Sequence, residues 1–213
     1  MKNYLLMKDH VYNFIADKIS DGTFQPDQKV NEQLICDELN ISRTPVREAL
    51  IQLAADGYLD NIPHKGFIIK KLNERKAIEL YLIIGVLDGL AASQAVDKIT
   101  SKEIAHMNYL ISAMDLSLNS GMTDAYFKQQ LEFHEVYVNI CGNFQLIKLL
   151  DTLKKSFLRH KYSIDDDIMR ILKDTNKEHT SIVELFEKKD ADGLDHFLRT
   201  IHWNYENAGF DSM

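Results

Sequence analysis

The placement of proline divides this 213-residue chain into two unlike parts. All three prolines lie in the first third, and none occurs from Asn73 to the last residue, where the apolar positions keep a helical period. Proline ends or kinks a helix, whereas uninterrupted periodicity favours one. We therefore predict two domains, 1–72 built from short elements and turns, and 73–213 built from helices.

The first domain carries start and stop signals for three helices. Apolar residues at helical spacing predict a first helix over 9–19. Asn31 fits the N-cap of a second helix, and Asn40 tolerates the left-handed conformation that ends it. Ser42 fits the N-cap of a third helix, with Pro45 in its first turn, where the missing N–H costs nothing. The second and third helices therefore form a predicted helix-turn-helix.

Two short apolar runs, 58–62 and 66–69, surround the turn Pro63-His64-Lys65 and predict a β-hairpin. A hairpin directly after a helix-turn-helix is a wing. Further helices are predicted near 74–97, 101–119, 123–141, 144–162, 166–188 and 190–207. The predicted fold class is mainly α: an N-terminal winged helix-turn-helix, whose wing is a small β-hairpin, followed by an all-α C-terminal helical bundle.

The composition is typical of a globular protein, with 45% hydrophobic and 27% charged residues. The two cysteines, Cys36 and Cys141, are far apart and predict no disulfide framework. There is no secretory signal and no run of about 18 apolar residues, so a cytoplasmic protein without a membrane span is predicted. The net charge of −7 divides into −1 for residues 1–72 and −6 for residues 73–213. A near-neutral first domain can still bind phosphate if its few cations share one face.

The predicted third helix has one basic face and one apolar face. Arg43 and Arg47 are four residues apart and share a face, whereas Val46, Ala49 and Leu50 form the opposite stripe. Such a helix suits the major groove, where guanine offers two acceptors and the edges offer phosphate oxygens. The alternative is that the arginines only pair with acidic neighbours, Glu48 or Asp56, on a solvated helix.

The stretch FQPDQKVNEQLICDELNISRTPVREALIQLAADGYLDNIPHKGFII resembles the winged-helix domain of the GntR family of bacterial regulators. The resemblance implies that Arg43, Thr44 and Arg47 touch bases and phosphates. It also implies that Ser42 and Gln33 contact phosphate, and that the wing enters the minor groove through His64, Lys65 and Gly66. Relatives often have glycine at the position of Asp27 and arginine at that of Gln33. The implied partner is double-stranded operator DNA, read by a homodimer.

The second domain resembles the C-terminal ligand domain of the FadR-type subfamily of that family. The matching landmarks are Leu87-Asp88-Gly89-Leu90, Leu131-Glu132-Phe133-His134, Gly142-Asn143, Glu178-His179 and a late histidine. In many relatives an aspartate and three histidines hold a divalent metal, which a small carboxylate ligand coordinates. The implied metal ligands are His134, His179 and His202, and the implied effector pocket contains Asp88, Gln130, His134, Asn143, His179 and His202.

Two departures bear on that metal site. The family aspartate lies four residues before the first histidine, where this chain has the neutral Gln130. The third histidine is displaced by one position, because Ile201 occupies its register and His202 follows. One residue turns a helix by about 100 degrees, so we expect His202 to converge only if a connecting loop absorbs the shift, and the connection 188–193 is suited to do so. A zinc or nickel ion and no metal at all are both left open.

The effector itself is predicted to be a carboxylate or a more apolar metabolite, since Ile84 stands where relatives often have an arginine. The leading hypothesis is a transcription regulator, not an enzyme, whose operator affinity is modulated by this effector. One alternative is a metal-dependent hydrolase that uses the His134, His179 and His202 cluster. Another is a DNA-binding dimer that has no ligand.

Overall fold

A computed structural model describes residues 7–20, 23–70, 74–154 and 166–212. The chain is mainly helical with one two-stranded hairpin, which confirms the predicted fold class. It divides into two compact units, Met1–Leu72 with Lys154–Tyr162, and Asn73–Leu153 with Ser163–Met213. Each unit is described by itself below.

The first unit contains the predicted helix-turn-helix. Helix α1 spans Met7–Ser20, α2 spans Glu32–Leu39 and α3 spans Arg43–Ala55. The Asn31 side chain accepts hydrogen bonds from the first turn of α2, and Asn40 ends that helix in the left-handed conformation at φ 53°. Ser42 occupies the N-cap position of α3 but makes no side-chain capping bond.

The wing is an antiparallel pair in which β1, Leu59–Ile62, lies beside β2, Gly66–Ile69, in the register Leu59 to Ile69. The segment before α2 pairs with the outer edge of β2, since Val30 N–H donates to the Phe67 carbonyl and Ile69 N–H donates to the Gln28 carbonyl. The wing is therefore fixed through β2 to the segment that leads into α2. Asp27 begins this pairing at φ 64°, a conformation that favours glycine and accounts for the glycine of relatives.

The core of this unit lies beneath the two joined helices and the wing. Its largest fully buried side chains come from the three helices and β1, so the apolar stripe predicted for α3 is packed against the rest of the unit. The stripe consists of Val46, Ala49, Leu50 and Leu53, all with 0% exposure. Burial of one face leaves the basic face in solvent.

The second unit is all helical, as predicted. Its helices are α4 Glu74–Ala95, α5 Ser101–Asn119, α6 Thr123–Ile140, α7 Phe144–Lys154, α8 Asp166–Glu187 and α9 Ala191–Phe197. The predicted helix 144–162 extends beyond Lys154 into residues outside the described part. The single predicted helix 190–207 is wrong: α9 passes into a π-helix, Leu198–His202, then a turn at Trp203, and a 3-10 helix, Tyr205–Ser212, follows.

Two glycines on α4 let the C-terminal helices approach closely. A Cβ added at Gly89 would lie 2.7 Å from Asp195 Oδ1 and 3.0 Å from the Asp195 carbonyl oxygen. A Cβ added at Gly85 would lie 3.1 Å from Trp203 Cβ and 3.3 Å from the Arg199 carbonyl oxygen. The glycine spacing of one helical turn therefore positions the backbone of α9 and the π-helix against α4.

Helix α4 is also long and apolar enough to cross a membrane, by length and composition alone, with a mean hydropathy of 1.4 over an 18-residue window. No second such helix was found among the described residues. Nearly half of that window, 44%, is buried inside the unit, and Asp88 lies in it with 0% exposure. The core helix of a folded domain has these properties, so the apolar character of α4 is explained by packing.

Candidate functional site

The basic face of α3 is exposed, as its amphipathic pattern predicted. Ser42, Arg43, Thr44 and Arg47 are all exposed, on the side opposite the buried stripe. Within the described residues neither arginine forms an ion pair with Glu48 or Asp56. The pairing alternative is therefore not what the structure adopts.

A groove lies between the wing and the start of α2, and the residues predicted to contact DNA through the wing line it. Arg47 lines it together with His64, Lys65 and Gly66 of the hairpin turn. Gly66 has φ 87° and His64 has φ 65°, so the turn depends on left-handed residues at its tip. Lys29 and Asn61 also line the groove, and sequence reasoning missed both. The long-range pairing of Lys29 with Ile68 brings that lysine there, and no local pattern reveals it.

Three of the other four predicted DNA-contact residues line a second depression between α2 and α3, whereas Thr44 lines neither depression. Gln33, Ser42 and Arg43 line it, together with Asp37. Arg43 Nη2 donates to Gln33 Oε1 at 2.7 Å, and Gln33 Nε2 donates to Asp37 Oδ1 at 2.8 Å. The structure thus connects a predicted base contact to an acidic residue that the sequence did not single out.

The second unit contains a buried centre made of three histidines. His134 on α6, His179 on α8 and His202 on the π-helix are all buried, and one ring nitrogen of each lies within 4.8 Å of the others. The Nε2 atoms of His134 and His202 are 3.1 Å apart. The ring centroid of His179 lies 5.5 Å from that of His134 and 4.9 Å from that of His202. The structure therefore brings together the three predicted metal ligands.

The Nδ1 atom of His134 faces two oxygens. It lies 2.9 Å from Asp88 Oδ2 and 2.6 Å from the Tyr137 hydroxyl oxygen, while the Tyr137 hydroxyl donates to Asp88 Oδ2 at 2.8 Å. Since the single hydroxyl proton goes to Asp88, and a carboxylate oxygen only accepts, the hydrogen between ring and oxygens belongs to Nδ1. In the neutral ring, Nε2 then carries a lone pair.

The other two histidines have the same arrangement. His202 Nδ1 lies 2.9 Å from Glu178 Oε2, and His179 Nδ1 lies 3.2 Å from Asn176 Oδ1. The Asn176 amide is fixed in that orientation because its Nδ2 donates to the Ile111 carbonyl and to Asp115 Oδ1. Both rings therefore donate through Nδ1 and present the lone pair of Nε2 to the common centre.

Burial keeps the Tyr137 hydroxyl protonated. The loss of solvent raises the pKa of Tyr137 well above its ordinary value, and the charge of Asp88 and the hydrogen bond to it raise the pKa further. Tyr137 thus stays a donor to Asp88 at physiological pH. Trp203 Nε1 donates to the same oxygen of Asp88 at 2.9 Å, so this fully buried carboxylate has three donors.

The π-helix explains why the displaced His202 reaches the centre. A π-turn accommodates one extra residue in a helix, and Trp203 N–H accordingly bonds to the Leu198 carbonyl, five residues back. Ile201 is 43% exposed while His202 is 6% exposed. The expectation that the connection 188–193 absorbs the shift is therefore wrong, because the extra residue is absorbed directly before His202.

The remaining predicted pocket residues have different places. Asp88 lies behind His134, with its carboxylate toward Nδ1. Gln130 is half-buried, one turn before His134 on α6. The Asn143 side chain accepts from the Leu146 N–H at 3.1 Å, so it caps the first turn of α7. Neither Gln130 nor Asn143 makes a hydrogen bond to the three histidines within the described residues.

Sequence reasoning missed the residues that hold the rings. Tyr137 and Asn176 contact the Nδ1 atoms of His134 and His179, and Trp203 donates to the Asp88 carboxylate behind His134. Two of them lie three positions from a histidine on the same helix, and an i, i+3 polar neighbour of a buried histidine is a signal that is visible in sequence. Trp203 contacts Asp88 across 115 positions, for which the sequence holds no signal.

A winged helix-turn-helix joined to a helical domain with a buried polar centre defines a DNA-binding regulator with a ligand domain. The model of bacterial regulatory proteins of the gntR family matches residues 7–69, and the FCD domain model matches residues 79–201, more than half of the chain. This chain belongs to the GntR family of bacterial transcription regulators, with an FCD domain at its C-terminal side.

Similar proteins agree with this assignment. The HTH-type transcriptional regulator YdhC of Bacillus subtilis is 28% identical, over 92% of this chain and 87% of its own length. A probable D-xylose utilization operon transcriptional repressor of Paenarthrobacter nicotinovorans is 28% identical, over 88% of this chain and 82% of its own. The structure of Escherichia coli McbR/YncC superposes with a TM-score of 0.79 at 20% identity, over 96% of this chain and 97% of its own, so it shares the fold.

Proposed function

We propose that this regulator changes its operator affinity when a small carboxylate binds to a divalent metal ion held by His134, His179 and His202. One observation carries the proposal: three buried imidazoles on three helical elements direct their Nε2 atoms to one point. Effector binding would favour one arrangement of the two winged domains in a dimer over another.

The chemistry of the donor set fits a metal ion. Two neutral rings that face each other through lone pairs 3.1 Å apart repel unless a cation or a shared proton lies between them. Each ring is also held from behind by an oxygen on its Nδ1, the usual support of a histidine ligand. Imidazole nitrogens suit zinc and nickel. When bound to three imidazoles, such an ion supplies open coordination positions for a carboxylate.

The position four residues before His134, where relatives have a metal-binding aspartate, differs in this chain. In this chain Gln130 replaces the ligand aspartate, while Asp88 lies behind His134, where its Oδ2 atom faces three donors. The centre therefore has three neutral ligands, and a bound divalent ion keeps its full charge. This charge favours an anionic effector. Ile84 is buried where relatives often have an arginine, which favours a monocarboxylate with an apolar remainder over a dicarboxylate.

We further propose that the regulator is a homodimer joined through the exposed face of α4. Large apolar residues lie on this face at helical spacing and are between 40% and 51% exposed: Leu82, Ile83, Val86 and Leu90. From residue 80 to residue 96 the only charged residue is Asp88, which is buried. A face without charge is complementary to its own copy across a two-fold axis. A dimer of this kind suits a pseudo-palindromic operator in the cytoplasm of a bacterium.

The hydrolase alternative lacks a base in the right place. Glu178 lies behind His202 at Nδ1, on the opposite side of the ring from the common centre. Glu132 is 54% exposed and pairs with His106 at 3.1 Å. Neither carboxylate faces the Nε2 atoms, so the geometry supports ligand binding more than hydrolysis.

The direct test is metal analysis of protein purified without chelator and without nickel resin. Wild type and His106→Ala are expected to contain one ion per chain, since His106 is on the surface and 43% exposed. His134→Ala is expected to lose the ion. Equal metal content in all three proteins, or none in wild type even after addition of zinc or nickel, would overturn the metal proposal without affecting the DNA-binding assignment.

A further inference from the structure

We propose that Asp37 is a positioning residue for DNA reading, which acts through Gln33 to hold the guanidinium of Arg43 in place. None of the three side chains is buried, and all belong to the helix-turn-helix. The proposal rests on the predicted contact between Arg43 and a guanine, and it assigns Gln33 a role other than phosphate contact.

The contacts form a short relay across the turn of the motif. Asp37 Oδ1 accepts from Gln33 Nε2 at 2.8 Å, and the two residues are one turn apart on α2. Gln33 Oε1 accepts from Arg43 Nη2 at 2.7 Å, across ten positions of the chain. The relay therefore joins the supporting helix to the first residue of the recognition helix.

Asp37 helps to fix the orientation of the Gln33 amide. A glutamine amide has two nearly equivalent orientations, with its oxygen and nitrogen exchanged. Asp37 offers only acceptors and Arg43 offers only donors, so one orientation satisfies both contacts and the other satisfies neither. Without Asp37, only the bond from Arg43 favours this orientation, so the flipped amide, whose NH₂ group faces the guanidinium donors, costs less to adopt.

Holding the guanidinium has a consequence for base reading. An exposed arginine loses side-chain entropy when it binds a base, and part of this loss is avoided if the side chain is already ordered. One bond to Gln33 uses one of the five guanidinium donors. The other donors are left for the two acceptors of guanine, N7 and O6.

The negative charge of Asp37 supports base preference through the relay but lowers the affinity for DNA of any sequence. A carboxylate beside a phosphate backbone weakens every DNA complex through repulsion, whatever the sequence. Removal of Asp37 is thus expected to strengthen binding to unrelated DNA while it weakens the preference for guanine. A residue with a purely structural role would not move these two quantities in opposite directions.

The experiment first obtains a half-site by selection from a randomised duplex library with the wild-type full chain. Affinities are then measured for the selected duplex, for duplexes in which each guanine is replaced by adenine, and for an unrelated duplex. The variants are Arg43→Ala, Asp37→Ala, Gln33→Met and the double variant Gln33→Met/Asp37→Ala. Glu38→Ala is the matched control, since it removes a carboxylate from the next position of α2, where Glu38 pairs with Lys18.

Arg43→Ala identifies the guanine that this residue reads. At that position we expect Asp37→Ala to reduce the guanine-over-adenine preference by roughly three- to tenfold, part of the discrimination of a bidentate contact. Glu38→Ala is expected to strengthen binding to all duplexes and leave the preference unchanged. In the Gln33→Met background, Asp37→Ala is expected to cause no further loss of preference, because the relay is already broken.

Two outcomes would overturn the proposal. One is an unchanged preference in Asp37→Ala, and the other is a full additional loss in the double variant, which would mean that Asp37 acts without Gln33. If Arg43→Ala itself leaves every preference unchanged, the predicted guanine contact fails and the relay has nothing to position. If wild type selects no sequence, the failure lies in sequence-specific DNA reading.

Discussion

The Nε2 atoms of His134 and His202 lie 3.1 Å apart although 68 positions separate the two residues in the chain. Two lone pairs at that distance repel unless a cation or a shared proton lies between them, so a bound metal ion is expected to stabilise the fold. We expect zinc at 100 times its dissociation constant to stabilise the protein by about 2.7 kcal/mol through binding to the native state alone. Thermal melting with and without zinc measures this, and His202→Ala should show no shift from an ion at this centre.

Asp88 is expected to tune metal affinity without touching the metal. Its carboxylate holds the Nδ1–H of His134, and outer partners of this kind are typically worth about 10- to 100-fold in affinity. Asp88→Asn should therefore weaken zinc binding by roughly that factor, as measured by competition with a coloured chelator. The exposed Asp97 gives the control variant Asp97→Asn, and equal affinities in the two variants would contradict the role of Asp88.

Deletion of Ile201 should leave His202 at the metal centre. The deletion makes the bond from Trp203 N–H to the Leu198 carbonyl an i to i−4 bond, which converts the π-turn into a regular helix. We expect metal content to stay at one ion per chain in this variant. Insertion of one alanine after Ile201 should turn the histidine away by about 100 degrees and abolish binding. The opposite pattern would show that the π-turn does not set the register.

The exposed face of α4 should control the oligomeric state. Val86 is 44% exposed in the single chain, and Val86→Glu would bury a charge in a dimer formed through this face. Sedimentation velocity is expected to give a dimer for wild type and a monomer for this variant at micromolar concentration. Leu116→Glu is the control, since Leu116 is 69% exposed on α5. A dimer that tolerates Val86→Glu places the interface elsewhere.

Arg47 is expected to contribute to both specific affinity and salt dependence. It is exposed on α3 and lines the groove beside the wing. Arg47→Ala should cost about 1–3 kcal/mol if the residue reads a base, or reduce the salt slope by about 1 if it contacts a phosphate. The affinity for the selected duplex, measured at several salt concentrations, distinguishes a base contact from a phosphate contact. Arg170→Ala removes another exposed arginine, on α8, and should change neither quantity.

The sequence alone determined the class of fold and most element boundaries of the first domain. The caps Asn31 and Asn40 and the two faces of α3 depend on residues within a few positions of one another, so local pattern reveals them. The ring nitrogen of His134 that faces the common centre is different, because it depends on the contact of Nδ1 with Asp88, which lies on another helix.

Only the tertiary structure decided how the displaced His202 reaches its partners. Both an absorbing loop and a π-turn satisfy the residue count, and the sequence between α8 and Trp203 does not distinguish them. Gly89 packs against Asp195 of α9, and Gly85 packs against Arg199 and Trp203, so the extra residue is taken up between Arg199 and Trp203. The chain therefore determines locally which side chains are available, whereas packing between distant helices decides where their atoms meet.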